Sequence, residues 1–144
     1  MNYGLGSHFL LDCYGCLREK LKDVSFIHNL LDAFPAQISM TKVSSPNVFK
    51  YNGKNADDWG ISGVVLIAES HISIHTFPEK DHAFIDIFSS KEFDTNLARD
   101  ILMKALKATH HEENFLHNGR EDNPDLPNVA GMVQDFASAP IVYH

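Results

Sequence analysis

The chain has 144 residues, of which 44% are hydrophobic and 22% are charged, a composition typical of one folded domain. Its 12 Lys and Arg are outnumbered by 19 Asp and Glu, and the net charge of −7 argues against binding to nucleic acid or to anionic membranes. No apolar run approaches the roughly 18 residues of a membrane span, and we expect no signal peptide. The only two cysteines, Cys13 and Cys16, do not suggest a disulfide framework, and we expect a cytoplasmic protein.

The first part of the chain predicts two strands and one helix. Residues 8–14 form a short apolar run that is typical of a strand. Asp23 is placed to cap a helix whose apolar residues recur at helical spacing, and we expect this helix to stop at Pro35. Residues 36–44 alternate loosely and predict a second strand. Residues 45–60 are rich in Pro, Gly, Asn and Asp and predict a loop.

The second part predicts three strands joined by short connections, followed by a helix and a last strand. Residues 61–69 are strongly apolar, while residues 71–77 and 84–88 alternate between polar and apolar side chains. Asp94 is placed to cap a second amphipathic helix, and residues 112–117 predict a last strand. Because strands joined by short turns must pair antiparallel, these elements predict an antiparallel sheet.

Together the elements predict an α+β protein, a two-layer α/β sandwich with two helices on one face of the antiparallel sheet. No predicted element covers the other face, and we expect a homodimer that stacks two sheets into a four-layer arrangement. We assign the folded domain to residues 1–118 and expect an irregular acidic tail at residues 119–144. From residue 110 onward the chain has one basic and six acidic residues, together with three prolines.

The most informative segment runs from Glu69 to Glu79 and reads Glu-Ser-His-Ile-Ser-Ile-His-Thr-Phe-Pro-Glu. On a strand, the Cα atoms of His71 and His75 lie roughly 13 Å apart, too far to share a zinc ion, and we expect no metal site. A serine hydrolase would need glycines around Ser70, which the sequence lacks. Taken alone, the serines and histidines also fit the polar face of an amphipathic strand.

The same segment resembles the self-cleavage segment of the small, prokaryotic-type S-adenosylmethionine decarboxylase family, whose members use a pyruvoyl cofactor. The resemblance covers about residues 5–115, and an eleven-residue block with flanking motifs is a specific signal. The flanking motifs are Leu5-Gly6-Ser7-His8, Asp12-Cys13-Tyr14-Gly15-Cys16, Ser62-Gly63 and Ala83-Phe84-Ile85-Asp86-Ile87-Phe88.

The resemblance implies a proenzyme that is cut between Glu69 and Ser70, with the Ser70 hydroxyl attacking the preceding carbonyl and Ser70 becoming the pyruvoyl group. It implies that His75 is the base for the elimination that follows and that Ser62 helps to stabilise the intermediate. In this family the pyruvoyl carbonyl forms a Schiff base with the substrate amine and is the electron sink as carbon dioxide leaves. Glu79 matches a glutamate that holds the ribose hydroxyls of the substrate.

The implied activity is decarboxylation of a small-molecule substrate, S-adenosylmethionine, to supply the aminopropyl donor for spermidine biosynthesis. Ser70 and His75 are five residues apart and face opposite sides of a regular strand, roughly 16 Å from each other. They cooperate only if a second chain brings its own copy of one of them. This spacing agrees with the family, in which the sites lie at the interface of a dimer.

Two positions depart from the family pattern. The cysteine that donates a proton after decarboxylation is replaced by Ser90, whose hydroxyl is a far weaker acid than a thiol with its pKa of about 8.5. The aromatic residue that stacks on adenine falls at Ala56, although Trp59 offers a stacking face nearby. Asp57 and Asp58 would suit the cationic end of a different substrate.

Three functions therefore remain open from the sequence. The first is S-adenosylmethionine decarboxylase, with Ser90 or another group as the proton donor. The second is a pyruvoyl-dependent L-ornithine or L-arginine decarboxylase, whose substrate Asp57 and Asp58 would neutralise. The third is a non-catalytic paralogue that binds an active partner.

Overall fold

A six-stranded antiparallel sheet forms the centre of the computed structural model, which describes residues 6–117. The order across the sheet is β2-β3-β4-β5-β1-β6, so that β1 lies between β5 and β6. In chain order the strands are β1 (Ser7–Tyr14), β2 (Asn47–Asn52), β3 (Trp59–Ile67), β4 (Ser70–Phe77), β5 (His82–Ser89) and β6 (His110–His117). The helices are α1 (Arg18–Leu21), α2 (Val24–Gln37) and α3 (Thr95–Leu106), and a 3₁₀ turn spans Pro78–Lys80.

Both long helices begin at the aspartates that the sequence predicts as caps. The Asp23 carboxylate accepts a hydrogen bond of 3.1 Å from the Phe26 amide at the start of α2. At the start of α3, the Asp94 carboxylate accepts one of 3.0 Å from the Leu97 amide. Each cap satisfies an amide that has no partner inside the helix, and the two predicted helix starts are confirmed.

The predicted stop of α2 at Pro35 is wrong by two residues, because the helix continues to Gln37. Proline removes one amide donor but does not end the helix at once when only a part of a turn follows. The Pro35 carbonyl then accepts hydrogen bonds from the amides of Ile38 (3.2 Å) and Met40 (2.8 Å), which close the end of the helix.

The second strand lies later in the chain than the sequence predicts. Residues 36–44 form the end of α2 and a turn, and they contribute a single bridge, from Lys42 to Ile67, rather than a strand. The strand is β2, inside the predicted loop. As an edge strand it is mostly exposed, with Phe49 at 65% and Tyr51 at 54%, so no polar–apolar alternation marks it.

The helices cover one face of the sheet, which confirms the predicted two-layer α+β sandwich. Alternate residues of β1, β4 and β5 are buried, and the residues between them are half-buried. The buried set packs with the apolar sides of α2 and α3; it includes Phe9, Leu11, Ile72, Ile74, Ile85, Ile87, Ile27, Leu31, Phe34, Ala98, Leu102 and Leu106. We call the opposite side the open face; it carries His75, its partner Ser62 on β3, and the residues that alternate with the buried ones.

Two sequence-based expectations concern residues beyond the described part. The boundary at residue 118 and the acidic tail at residues 119–144 lie outside residues 6–117, and they stay predictions. Within the described range, none of the helices has the length and apolar character needed to cross a bilayer.

Candidate active site

Ser62 of β3 and His75 of β4 are directly opposite each other on the open face, where they are paired across the two strands. A hydrogen bond of 2.9 Å joins Ser62 Oγ and His75 Nδ1. Burial lowers the pKa of His75 below its usual value, and the nearby negative charge of Asp86 only partly opposes this. The imidazole is therefore neutral near pH 7, which is the form that can accept a proton.

A cavity of about 480 Å³ opens beside this pair. Its volume lies within the range of small-molecule sites. Aromatic side chains from β2, β3 and β4 line it together with one carboxylate: these are Tyr51, Trp59, Phe77 and Asp58. A smaller hollow of about 210 Å³ adjoins it and adds Asp57 and Glu79 to the lining. The structure thus groups all four predicted substrate-binding residues near Ser62 and His75.

Glu79 is held in place by two neighbours. The Trp59 indole N–H donates to Glu79 Oε1 at 3.2 Å, and Arg18 Nη2 lies 3.5 Å from Glu79 Oε2. Arg18 Nε–H also donates to the Pro78 carbonyl at 3.2 Å, which ties the short helix α1 to the 3₁₀ turn that carries Glu79. Sequence reasoning missed Arg18, because α1 is far from Glu79 along the chain and no local pattern in it indicates a contact with Glu79.

The junction between Glu69 and Ser70 lies at the other end of β4, in a two-residue turn between β3 and β4. Glu69 has a φ of +71°, in the left-handed region. For a residue other than glycine this conformation costs roughly 1–2 kcal/mol. Ser70 Oγ is buried and has no hydrogen-bond partner among residues 6–117. The junction thus combines a strained backbone at Glu69 with a Ser70 hydroxyl that makes no hydrogen bond within the described residues.

Ser90 lies next to this junction. Its hydroxyl donates a hydrogen bond of 2.9 Å to Glu69 Oε2. Ser70 shares the helix-covered side of β4 with Ile72, whereas His75 is on the open face, and five residues of strand separate the two by roughly 16 Å. Within one chain the structure therefore forms two groups of candidate residues and does not bring Ser70 to His75.

A carboxylate on the open face lies between the two groups. Burial alone would raise the pKa of Asp86, but contacts with His71, at 3.9 Å, and with His8 outweigh it and lower the pKa to about 2. Asp86 is therefore ionised at any physiological pH. It provides a fixed negative charge that both histidines share.

Neither cysteine offers a replacement for the thiol that is absent at position 90. Burial raises the pKa of Cys13 to about 12 and that of Cys16 to about 11, so both stay protonated and poor acids near neutral pH. Over residues 6–117, no three His, Cys, Asp or Glu side chains lie close enough to hold a metal ion.

The fold and the two residue groups define an α+β protein with a half-covered sheet and a candidate active site, and comparison with known proteins identifies the family. The model of the family described as S-adenosylmethionine decarboxylase matches residues 7–119. The S-adenosylmethionine decarboxylase proenzyme of Bacillus velezensis is 31% identical over 130 residues, 90% of each chain. That of Pyrococcus furiosus is 33% identical over 120 residues, 82% of this chain and 81% of the other.

A solved structure is similar as well. The crystal structure of the adenosylmethionine decarboxylase from Aquifex aeolicus is 29% identical, with a TM-score of 0.68, and the match covers 87% of this chain and 98% of that one. The chain therefore belongs to the S-adenosylmethionine decarboxylase family, which confirms the resemblance drawn from the segment between Glu69 and Glu79.

Proposed function

We propose that this chain is a carboxy-lyase proenzyme that cuts itself between Glu69 and Ser70 and then decarboxylates S-adenosylmethionine. The observation that carries the proposal is the junction itself, where a buried Ser70 hydroxyl without a hydrogen-bond partner among residues 6–117 follows a residue in the left-handed conformation. The names of the relatives, which are proenzymes, support a processing step.

The cleavage chemistry uses the residues of the junction and one base. Ser70 Oγ attacks the carbonyl carbon of Glu69, the peptide C–N bond breaks, and the Ser70 nitrogen takes the proton to become an amine. The resulting ester breaks at its Cβ–O bond when a base removes the Ser70 α-proton, which releases Glu69 as a carboxylate. Water then displaces the nitrogen as ammonia and leaves a pyruvoyl group at residue 70.

His75 is the base that best fits the α-proton transfer, because burial keeps its imidazole neutral and Ser62 holds Nδ1 at 2.9 Å. Its distance from Ser70 of the same chain requires a second copy. We propose a homodimer in which open faces meet and His75 of one chain, paired with Ser62, reaches the α-hydrogen of Ser70 in the other. That hydrogen points away from the helix-covered side, where the Ser70 hydroxyl lies. The absence of any helix over the open face, within residues 6–117, supports this arrangement.

The pyruvoyl group supplies the electron sink for the loss of carbon dioxide. The residues around the cavity supply binding: the Glu79 carboxylate can accept hydrogen bonds from ribose hydroxyls, and Trp59 offers a face for adenine. Asp58 adds a negative charge that suits the sulfonium of the substrate. The product is the aminopropyl donor for spermidine synthesis. The free, buried Cys13 and Cys16 fit a reducing, cytoplasmic compartment.

A second candidate function is decarboxylation of L-ornithine or L-arginine. It is favoured by the smaller hollow, whose lining includes the carboxylates of Asp57, Asp58 and Glu79 beside the single cation of Lys80. Such a cluster would also neutralise the terminal cation of a basic amino acid. The aromatic lining of the larger cavity, by Tyr51 and Trp59, instead fits a nucleoside, and we place S-adenosylmethionine first.

A parallel assay with three substrates tests both candidates. Purified protein receives carboxyl-labelled S-adenosylmethionine, L-ornithine or L-arginine, and the released labelled carbon dioxide is measured, with Ser70→Ala as the blank. We expect release from S-adenosylmethionine only. Release from a basic amino acid would establish the second candidate. A chain that stays whole on a denaturing gel and releases nothing would be a non-catalytic paralogue.

A further inference from the structure

Ser90 makes a hydrogen bond to Glu69, and the role of proton donor in decarboxylation does not explain this contact. We propose that Ser90 is a positioning residue for self-cleavage: its hydroxyl holds the Glu69 side chain and so fixes the turn that presents the Glu69 carbonyl to Ser70. The inference rests on the proposed self-cleavage and deepens it. It assigns the residue at the unusual position to the processing of the chain and not to the later loss of carbon dioxide.

The turn is the part of the junction that needs support. With a φ of +71°, Glu69 adopts a backbone conformation that glycine and asparagine tolerate better than glutamate does. The Ser90 hydroxyl donates to Glu69 Oε2 at 2.9 Å, and hydrogen bonds to a charged acceptor are stronger than neutral ones. This contact favours the left-handed turn over relaxed alternatives in which the scissile carbonyl would point elsewhere.

The backbone around Ser90 is itself fixed. Gly6, at a φ of +99°, approaches it so closely that an added Cβ would lie 2.5 Å from the Ser89 carbonyl oxygen and 3.2 Å from the Ser90 Cα. The Ser89 hydroxyl accepts a hydrogen bond of 3.0 Å from the Lys91 amide. The backbone at Ser90 is therefore packed against Gly6 and followed by a hydrogen-bonded turn to Lys91. A fixed backbone suits a residue whose side chain holds another residue in place.

The side chains of the two residues at the junction differ in their contacts. Ser70 Oγ has no hydrogen-bond partner within the described part of the chain and is free to attack. The Glu69 side chain, in contrast, is held by Ser90. A cysteine at position 90 would be a much weaker hydrogen-bond donor than serine. Compared with cysteine, serine at position 90 is thus a weaker acid but forms a stronger hydrogen bond to Glu69.

The test follows cleavage of newly made chains. Full-length wild type, Ser90→Ala, Ser90→Thr and Ser90→Cys are synthesised by cell-free translation with a labelled amino acid, and the cut fraction is followed on denaturing gels. We expect Ser90→Ala to slow cleavage about five-fold, since both side chains reach solvent and the contact is a single hydrogen bond. Ser90→Thr, which keeps the hydroxyl, should stay near wild type, and Ser90→Cys should fall between. Ser45→Ala, in an exposed loop, is the matched control.

A double-mutant cycle ties the effect to the contact itself. Glu69→Ala should slow cleavage, Glu69→Gln should retain most of the rate because its amide oxygen still accepts, and Ser90→Ala should add little to Glu69→Ala. Rate losses that multiply fully in the double variant would contradict the proposal.

Stability separates positioning from a general loss of structure. In the uncut Ser70→Ala background, adding Ser90→Ala should lower the melting temperature by no more than about 4 °C, the shift that a five-fold effect gives in a domain of this size. A large drop would make Ser90 a structural residue and the proposal wrong. If the wild type is never cut, the proposed self-cleavage itself fails. If the wild type is cut and Ser90→Ala is cut at the same rate, this inference alone fails.

Discussion

The two ends of β4 carry the two halves of the candidate site, and they differ in how well their groups are paired. At the junction end, Glu69 is strained and the Ser70 hydroxyl is unpartnered among residues 6–117. At the cavity end, Ser62 pairs with His75, and Glu79 is held by its neighbours. The nucleophile of the proposed cleavage acts once and can be left in a reactive arrangement, whereas the proposed base and the substrate-binding Glu79 are held in place beforehand.

The largest effect is expected from removing the reactive group of the junction. Ser70→Ala should abolish cleavage, because no nucleophile remains next to the strained Glu69 carbonyl. Intact-mass measurement should then show only the uncut chain of 16.2 kDa, while wild type and the control Ser45→Ala give two fragments. Two fragments from Ser70→Ala would mean that the junction is not the reactive end.

Removing the base at the cavity end should stop processing one step later. His75→Ala should slow the elimination by about 100-fold or more, so that the chain accumulates as an ester that hydroxylamine splits. Ser70→Ala should stay an uncut peptide, whereas His75→Ala should accumulate as an ester. This difference would separate the roles of the two ends of β4. A His75→Ala chain that is processed at the normal rate would show that another base acts.

The same residue predicts a pH profile. Because burial lowers the pKa of His75, the imidazole stays neutral at a pH where an exposed histidine is already protonated. The elimination should hold its rate below about pH 6.5 and decline only as the pH falls through the lowered pKa. An onset of decline at or above the ordinary histidine pKa would contradict this. Stopped samples taken across the pH range and treated with hydroxylamine give the rate of this step alone.

A smaller effect is expected from loosening the cavity end without removing a binding group. Arg18→Ala should raise KM for S-adenosylmethionine about ten-fold while kcat and cleavage stay near wild type, since Arg18 acts by orienting Glu79. Lys22→Ala, which removes an exposed cation nearby on the chain, is the matched control. Equal losses in kcat and cleavage would show instead that Arg18 supports the whole fold.

The smallest effect concerns the carboxylate between the two ends. The folded pKa of Asp86, about 2, lies below the ordinary 3.8, so Asp86 contributes stability above pH 3.8 and loses it as the pH falls toward 2. In the uncut Ser70→Ala background, Asp86→Asn should reduce the free energy of unfolding near pH 6 and flatten its decline in acid. Urea titrations at several pH values would measure this, and an unchanged acid slope would contradict it.

The sequence predicted the elements whose periodicity is set by burial on one side. Strand β4 and helix α3 were recognised because Ile72 and Ile74, or Ala98 and Leu102, recur on the side that faces the core. Strand β2 was missed for the opposite reason. It is an edge strand in which even Phe49 is exposed, so it has no buried side and no alternation of polar and apolar residues.

The site was only partly accessible to the same reasoning. The motif around Ser70 and the match of Ser62 and Glu79 to the family pattern indicated the chemistry. The contacts that position these groups were not predictable, because Arg18 reaches Glu79 and Ser90 reaches Glu69 only after the whole sheet has formed. No local pattern in the chain encodes such long-range pairs.

The strand order has a further consequence for a chain cut between residues 69 and 70. The first fragment would carry β1, β2 and β3 and the second β4, β5 and β6, yet β1 lies between β5 and β6. Two separate polypeptides would thus be interleaved in one sheet, and neither could leave without breaking ladders on both sides of β1. Refolding of the cut protein would require two different chains to associate, so its yield would depend on their concentrations. The uncut precursor, in contrast, would fold as a single chain.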